Sequence, residues 1–427
     1  MRVSFYTLGC KVNLYETEVI MNNFKKKGYE IVDFNTPSDI CIINTCTVTN
    51  TSDKKSRNII RTAVKKNPNS IIVVMGCYSQ VKSKDIESIP GVNIIIGNTN
   101  KSNVVKLVED YIKNKNNITK IEDIKKVPFE SMELDTFETR TRAFVKIQDG
   151  CNNFCSYCII PYARGNIRSK EKEDVIKEIT NLANNRYKEV VLTGIHTGHY
   201  GKDLYDYDFS DLLNELSLIN GLERIRISSI EITELDEKFM NTLKNNKKIV
   251  DHIHIPLQSG CDKTLKEMNR KYNSEYFLNK INEIRSIRPN ISITTDVIVG
   301  FPNETNEDFN NTYEFIKKVN FTKIHVFPYS KREGTPAAVM PNQINEEIKK
   351  ERVNKLLTLS KELEINYMNK FINKDIEVLF EKCEDNIISG HAENYIGVKC
   401  EGNKTNINKI IKVHITKLDY PYLTSDI

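Results

Sequence analysis

Cys151-Asn152-Asn153-Phe154-Cys155-Ser156-Tyr157-Cys158 is the stretch on which the reading of this chain turns. Three thiols in C-x3-C-x2-C spacing, with an aromatic before the last, suit three irons of a [4Fe–4S] cube and leave the fourth iron without a protein ligand. Such cubes are ordinarily held by four cysteines, so an open iron is a place to bind a small molecule and do chemistry on it. The competing explanation is a zinc knuckle. Zinc sites usually offer four ligands as two pairs with a longer spacer, and no second pair follows nearby.

The loop follows a β-rich run at 143–148, the first of six. The others lie at 189–192, 224–228, 252–255, 291–299 and 323–327, with helical stretches such as 172–184 and 274–288 between them. Six strand–helix units with functional residues just after the strands predict a partial (β/α) barrel over 140–369, its active face at the strand C-termini. Upstream, strands at 3–7, 39–44, 71–75 and 92–96 alternate with amphipathic stretches at 15–27, 53–66 and 103–113. Residues 1–112 therefore read as an open α/β domain with a largely parallel sheet. Residues 113–139 are charged and weakly periodic and read as a linker. After a long amphipathic helix at 346–368, strands at 375–380, 387–392, 396–400 and 409–415 predict a small all-β, OB-like module over 370–427. The fold class is α/β with that β module appended.

At 427 residues the chain exceeds one ordinary core. Its 28% charged and 39% hydrophobic residues are those of a soluble globular protein. The net charge of +5 permits a nucleic-acid partner without requiring one. The start, MRVSFYTLGC, lacks the charged-then-apolar pattern of a signal peptide, and apolar runs such as 71–75 are strand-sized, far short of a membrane span. A cytoplasmic protein with no membrane partner is expected. Ten cysteines in a reducing compartment point to metal or redox use rather than disulfides.

Cys10, Cys46 and Cys77 each follow a candidate strand, in FYTLGC, IINTC and VVMGC. Strand C-termini of an open parallel sheet share one edge, so three loops there can gather distant thiols; Gly9 and Gly76 permit close turns. Position alone leaves open a shared metal site or three small buried residues. Cys41 reads as core, and Cys383 and Cys400 as packing in the β module.

The segments TLGCKVNLYETE, NTCTVTN, MGCYSQ, CNNFCSYCIIPYARG, HIPLQSGCDKTLKEMNRKY, TTDVIVGFPNET and HVFPYSKREGTP, spread in order over nearly the whole chain, resemble the radical S-adenosylmethionine (SAM) methylthiotransferases. Gly9-Cys10-Lys11-Val12-Asn13 resembles the branch acting on threonylcarbamoyladenosine in tRNA; the isopentenyladenosine branch tends to carry Gln-Met after this cysteine, and the ribosomal-protein branch Pro-Lys. The resemblance implies a radical cluster on Cys151, Cys155 and Cys158, whose open iron chelates SAM for cleavage to a 5′-deoxyadenosyl radical, and an auxiliary [4Fe–4S] cluster on Cys10, Cys46 and Cys77. It implies two SAM molecules per product and a C-terminal TRAM module that binds RNA. The substrate would be tRNA carrying N6-threonylcarbamoyladenosine beside the anticodon, and the product its 2-methylthio derivative. A flavodoxin- or ferredoxin-like electron donor and the iron–sulfur assembly machinery would be further partners. The rival substrates are isopentenyladenosine in tRNA and a ribosomal protein; the rival outside enzymes is a zinc-stabilised RNA-binding protein.

Cofactor contacts are expected from Tyr157, Thr193-Gly194, Glu231 (toward the SAM ammonium), Gln258-Ser259-Gly260, Val299-Gly300 and Phe327-Pro328-Tyr329, each with a plain alternative as loop chemistry. For RNA, the cationic candidates are Lys54, Lys55, Arg57, Arg61, Arg164, Arg168, Arg270, Lys271, Lys331 and Arg332. The β module has eight lysines against nine Asp and Glu, so RNA binding there would need a local patch or stacking on Tyr395.

Overall fold

The computed structural model describes residues 1–134, 136 and 141–426. Residue 140, the expected start of the barrel, and residues 135 and 137–139 of the expected linker lie outside the described residues.

The N-terminal sheet has six parallel strands: β1 (Arg2–Thr7), β2 (Glu30–Val32), β3 (Ile40–Thr45), β4 (Ile71–Gly76), β5 (Ile94–Ile96) and β6 (Ile118–Lys120), in the order β2-β1-β3-β4-β5-β6. β3 and β4 are buried along their whole length, as strands covered on both faces must be. Cys41 is fully buried in the outer-face core with Ile43 and Ile60. Two strands escape the sequence pattern. β2 and β6 are three-residue edge strands, half-buried and largely exposed respectively, and too short for an apolar run. The second corrects the linker: part of 113–139 forms an edge strand, and Met132 and Leu134 are buried in the core shared with the barrel.

The barrel strands are β7 (Ala143–Lys146), with the short β8 (Gln148–Asp149) and β9 (Arg168–Ser169) paired beside its end, then β10 (Glu189–Thr193), β11 (Arg224–Ile227), β12 (His252–His254), β13 (Ser292–Val299) and β14 (Lys323–Pro328). β7-β10-β11 and β12-β13-β14 are parallel ladders, joined by a bridge between Ile225 and Ile249 and by Ile230 N–H donating to the His254 carbonyl. The strands thus follow sequence order around a partial barrel, as expected. The helices at Lys172–Asn184 and Ser274–Ile287 match their expected spans closely.

The helix Glu346–Asn369 leads to β15 (Asp375–Glu384), β16 (Ile387–Ala392), β17 (Gly397–Glu401), β18 (Ile410–Asp419) and β19 (Tyr422–Asp426). They close a barrel in the order β15-β16-β17-β19-β18, consistent with an OB-like TRAM module. The last strand is an addition to the expected four.

One apolar core runs from Val3, Ile42 and Met75 of the first sheet to Val145, Leu192 and Ile253 of the barrel. The N-terminal helix Lys11–Lys26 is clamped to the barrel by Tyr15 Oη, which donates to the Met132 carbonyl at 2.5 Å and meets Glu178 Oε1 at 3.0 Å. The two cysteine regions are therefore held by continuous packing.

Candidate functional site

Cys10 caps the helix Lys11–Lys26, Cys46 follows β3, and Cys77 begins the helix Cys77–Glu87 after β4. All three stand at the C-terminal edge of adjacent parallel strands. Gly9 (φ +105°) lets the first loop lie against the second: a Cβ there would stand 3.0 Å from Cys46 Cβ. The thiols perturb one another. Burial first, then the neighbouring Cys77, pushes Cys46 up to about 11, and Cys10 is raised by burial and by Cys77 against the lowering pull of Arg164. Cys10 is reached by solvent, whereas Cys46 and Cys77 are buried.

Cys151, Cys155 and Cys158 occupy the loop between β8 and the short helix Ile160–Arg164. Cys155 is buried, Cys151 and Cys158 half-buried. Arg270 Nη1 donates to Cys155 Sγ at 3.2 Å, and His196 Nδ1 stands 3.6 Å from Cys151 Sγ. Burial pushes Cys158 up to about 12, so its thiol would ionise readily only against a bound cation. A tetrahedral zinc with Zn–S bonds of about 2.3 Å needs sulfurs about 3.8 Å apart. Among the described residues the trio drawn in to single-ion spacing is His196, His199 and Glu234, and neither cysteine triad is. Spaced thiols faced by arginine donors fit an anionic cluster better than one ion.

The connection between the triads was missed in the sequence. Arg164 follows the cysteine loop on its short helix and is fully buried. Its Nε donates to Cys77 Sγ at 3.3 Å, Nη2 to Asn13 Oδ1 at 2.6 Å, and Nη1 to Glu16 Oε1 at 2.7 Å and Asp149 Oδ2 at 3.1 Å. Lys101 and Lys146 also pair with Glu16, whose carboxyl these cations hold well below the usual range against the opposing effect of burial. A second missed network centres on Glu234, whose Oε1 meets His196 Nε2 at 2.6 Å and His199 Nε2 at 2.9 Å. Burial lowers His196, but its bonds to Cys151 and Glu234 prevail and bring it to about 9.

The expected cofactor residues meet varied surroundings. Tyr157 packs on Met268, Phe301, Tyr329 and Ala337. Glu231 pairs with Arg270, the donor to Cys155. Gln258 has φ +68° and bridges to Val297, while Phe327 is exposed at the end of β14. Thr193 is buried with its hydroxyl on the Val191 carbonyl. A Cβ on Gly194 would meet Gln148, and one on Gly300 would meet Lys349 of the long helix at 2.3 Å, so both glycines have packing reasons to be there.

The RNA candidates divide. Lys54, Lys55, Arg61, Lys271 and Lys331 are exposed. Arg57 is half-buried on the Tyr78 hydroxyl. Arg164, Arg168, Arg270 and Arg332 are withdrawn from RNA by burial in hydrogen-bond networks; Arg332, for example, donates to Asp53 and Thr47. Tyr395 is exposed, and its ring also meets the guanidinium carbons of Arg142 and Arg226, at 5.2 and 4.9 Å, and stacks on His391.

Residues 145–316 match the model of the radical SAM superfamily, and residues 2–97 that of uncharacterized protein family UPF0004. The threonylcarbamoyladenosine tRNA methylthiotransferase MtaB of Bacillus subtilis is 47% identical over 98% of this chain and 95% of its own length. The enzyme of the same name from Aquifex aeolicus is 40% identical over 97% of this chain and all of its own. The chain belongs to the radical SAM methylthiotransferases. It is an enzyme, with [4Fe–4S] clusters and SAM as its cofactors. A Clostridium tetani tRNA-2-methylthio-N(6)-dimethylallyladenosine synthase is 39% identical over 96% of this chain and 93% of its own. Among solved structures, the radical SAM methyltransferase TsrM of Kitasatospora setae, with cobalamin and a [4Fe–4S] cluster, shares the fold at a TM-score of 0.59 and 15% identity, covering 79% of this chain and 77% of that one. Among the described residues no helix is long and apolar enough to cross a membrane.

Proposed function

We propose that this methylthiotransferase acts on tRNA, placing a methylthio group on C2 of N6-threonylcarbamoyladenosine next to the anticodon. C2 of an adenine bears an unactivated C–H bond; the bound cofactors supply the radical chemistry it needs, and the protein supplies binding and orientation. Cys151, Cys155 and Cys158 would hold the radical cluster, with Arg270 and His196 fixing two of the sulfurs. Cys10, Cys46 and Cys77 would hold the auxiliary cluster. Glu231, Tyr157, Gln258 and Phe327 remain the proposed SAM contacts. We also propose a cytoplasmic location, an external flavodoxin- or ferredoxin-like donor, and units at 1–112, 140–369 and 370–427.

The observation that carries this reading is the buried Arg164, which binds Cys77 Sγ from the helix that ends the radical-cluster loop. A two-cluster transfer needs its two cysteine triads held near each other, and this contact supports that by tying Cys77 to the helix that follows Cys158. Substrate choice is supported by Lys11-Val12 and by the names of the relatives at 47 and 40% identity. The test is nucleoside mass spectrometry of bulk tRNA from the host with and without the gene. Loss of 2-methylthio-N6-threonylcarbamoyladenosine, with its precursor rising, is expected. An unchanged level of that nucleoside would overturn the substrate assignment.

A further inference from the structure

Two sulfurs of the loop 151–158 face side-chain donors, and one turn holds both donors. Arg270 Nη1 donates to Cys155 Sγ at 3.2 Å, and His196 Nδ1 stands 3.6 Å from Cys151 Sγ. Behind Arg270 stands Glu231; behind His196 stands Glu234, whose Oε1 meets His196 Nε2 at 2.6 Å. These two carboxylates belong to the short turn after β11 and cap each other's backbone. The Glu231 side chain accepts from the Glu234 N–H, and Glu234 Oε2 accepts from the Glu231 N–H at 3.1 Å. The donors thus come from separate loops, after β10 and after β12, and share one fastener.

Each donor is fixed by more than its carboxylate. His196 is buried, its backbone N–H donates to Gln148 Oε1 at 2.8 Å, and its ring stacks on His199 at 3.5 Å. Arg270 Nε donates to Tyr272 Oη at 3.1 Å, and that hydroxyl donates to the Leu257 carbonyl at 2.8 Å. A carboxylate only accepts, so the Glu234 contact puts a proton on His196 Nε2. A metal-bound thiolate also only accepts, so the sulfur contact puts one on Nδ1. Since each cation has its own carboxylate, the pairs carry little net charge. What they present to the sulfurs is a directed N–H.

Hydrogen bonds to the sulfurs are among the determinants of an iron–sulfur potential. Reduction adds one electron, taken from an external one-electron carrier, and the ligand sulfurs share the added negative charge. An N–H aimed at such a sulfur therefore stabilises the reduced form more than the oxidised one. We propose, on the cluster assignment above, that His196 and Arg270, aligned by the turn Glu231–Glu234, raise the reduction potential of the radical cluster through Cys151 and Cys155. Both are positioning residues, since they act through the sulfur ligands.

The test is a reductive titration of reconstituted, full-length holoenzyme, with each cluster followed by electron paramagnetic resonance. The signal that changes when SAM is added belongs to the radical cluster, and the other signal serves as internal control. His196→Leu and Arg270→Met should each lower the reduction equilibrium of the radical cluster about 3- to 10-fold, about 30 to 60 mV for one electron, with the control unmoved. Should either variant lose its iron, His196→Asn and Arg270→Lys take its place. Each keeps a donor but not the forked or two-sided contact, and should lower the equilibrium about 2- to 3-fold. A midpoint unmoved in the iron-replete variants overturns the tuning and leaves the cluster assignment standing. A SAM-responsive signal that survives Cys151→Ala overturns the assignment, and the tuning with it.

Discussion

Arg164 Nε lies 3.3 Å from Cys77 Sγ, across 87 positions of sequence. The contact is the centre of a buried charge network in which Glu16 serves Arg164, Lys101 and Lys146 at once. Breaking such a network from one side leaves uncompensated charge in the interior, which typically costs 3–5 kcal/mol. Arg164→Met is therefore expected to destabilise the protein by about that amount. Arg164→Lys should recover part of the loss, because it restores charge without the forked geometry. Thermal melts of the three proteins check this; a melting temperature unchanged in the Met variant would show that the network contributes little.

The two cysteine triads should separate by function. In Cys151→Ala the radical cluster loses a ligand, so SAM cleavage should vanish while roughly half of the iron remains. Cys46→Ala should keep measurable cleavage and form no methylthio product. Iron content, 5′-deoxyadenosine formation and product are measured on both purified variants. Matching losses of cleavage and product in the two would sink the division of labour.

Much of this architecture could be read from residues alone, and the exceptions share a cause. The six barrel strands are β-rich runs bounded by turn signals, so their ends fall within a few residues of the expected positions. β2 and β6 are three-residue edge strands with no fully buried residue, and an edge strand with little to bury leaves little pattern. β19 closes the small barrel through parallel pairing with β17, a tertiary event that no local spacing announces. The charge network was invisible for a different reason. Glu16 sits on a helix whose residues 15–20 are all buried, and its partner Arg164 is 148 positions away. A charged residue reads as surface until its partner is known, and Arg164 reads from the sequence as an RNA contact for that reason. The six cysteines stood out because their spacing and strand-end positions are local.

Gly150 should be intolerant of a side chain. It has φ +77°, and an added Cβ would stand 1.8 Å from the carbonyl oxygen of Asn166. Its own carbonyl accepts from Gln148 Nε2 at 2.7 Å, and Gln148 Oε1 accepts from the His196 backbone N–H at 2.8 Å. Gly150→Ala thus pushes on the loop of Cys151 and on the support of His196 together. The left-handed backbone alone costs about 1 kcal/mol, and the collision adds to it. Iron analysis should show loss from the radical cluster while the N-terminal triad keeps its share; full iron occupancy would mean the loop yields without disturbing the site.

Docking of the C-terminal module should depend on acid pH through Glu381. This carboxylate of β15 meets His391 Nδ1 and accepts from Arg142 Nε at 2.7 Å, tying the module to the barrel. Burial alone would raise its pKa, but the His391 bond and the Arg142 charge prevail and hold it at about 2, below an ordinary 4.5. A folded-state value below the unfolded one means the stabilisation is complete above the ordinary carboxylate range. It is lost as pH falls from about 4.5 through 2. The difference corresponds to about 3 kcal/mol at neutral pH. Melting temperatures followed over that interval should fall more steeply for the wild-type protein than for Glu381→Gln, which has no charge there to lose. Acid damage to the clusters is common to both proteins and cancels in the comparison. Parallel slopes would place the pH sensitivity elsewhere and leave the Glu381 contact as packing.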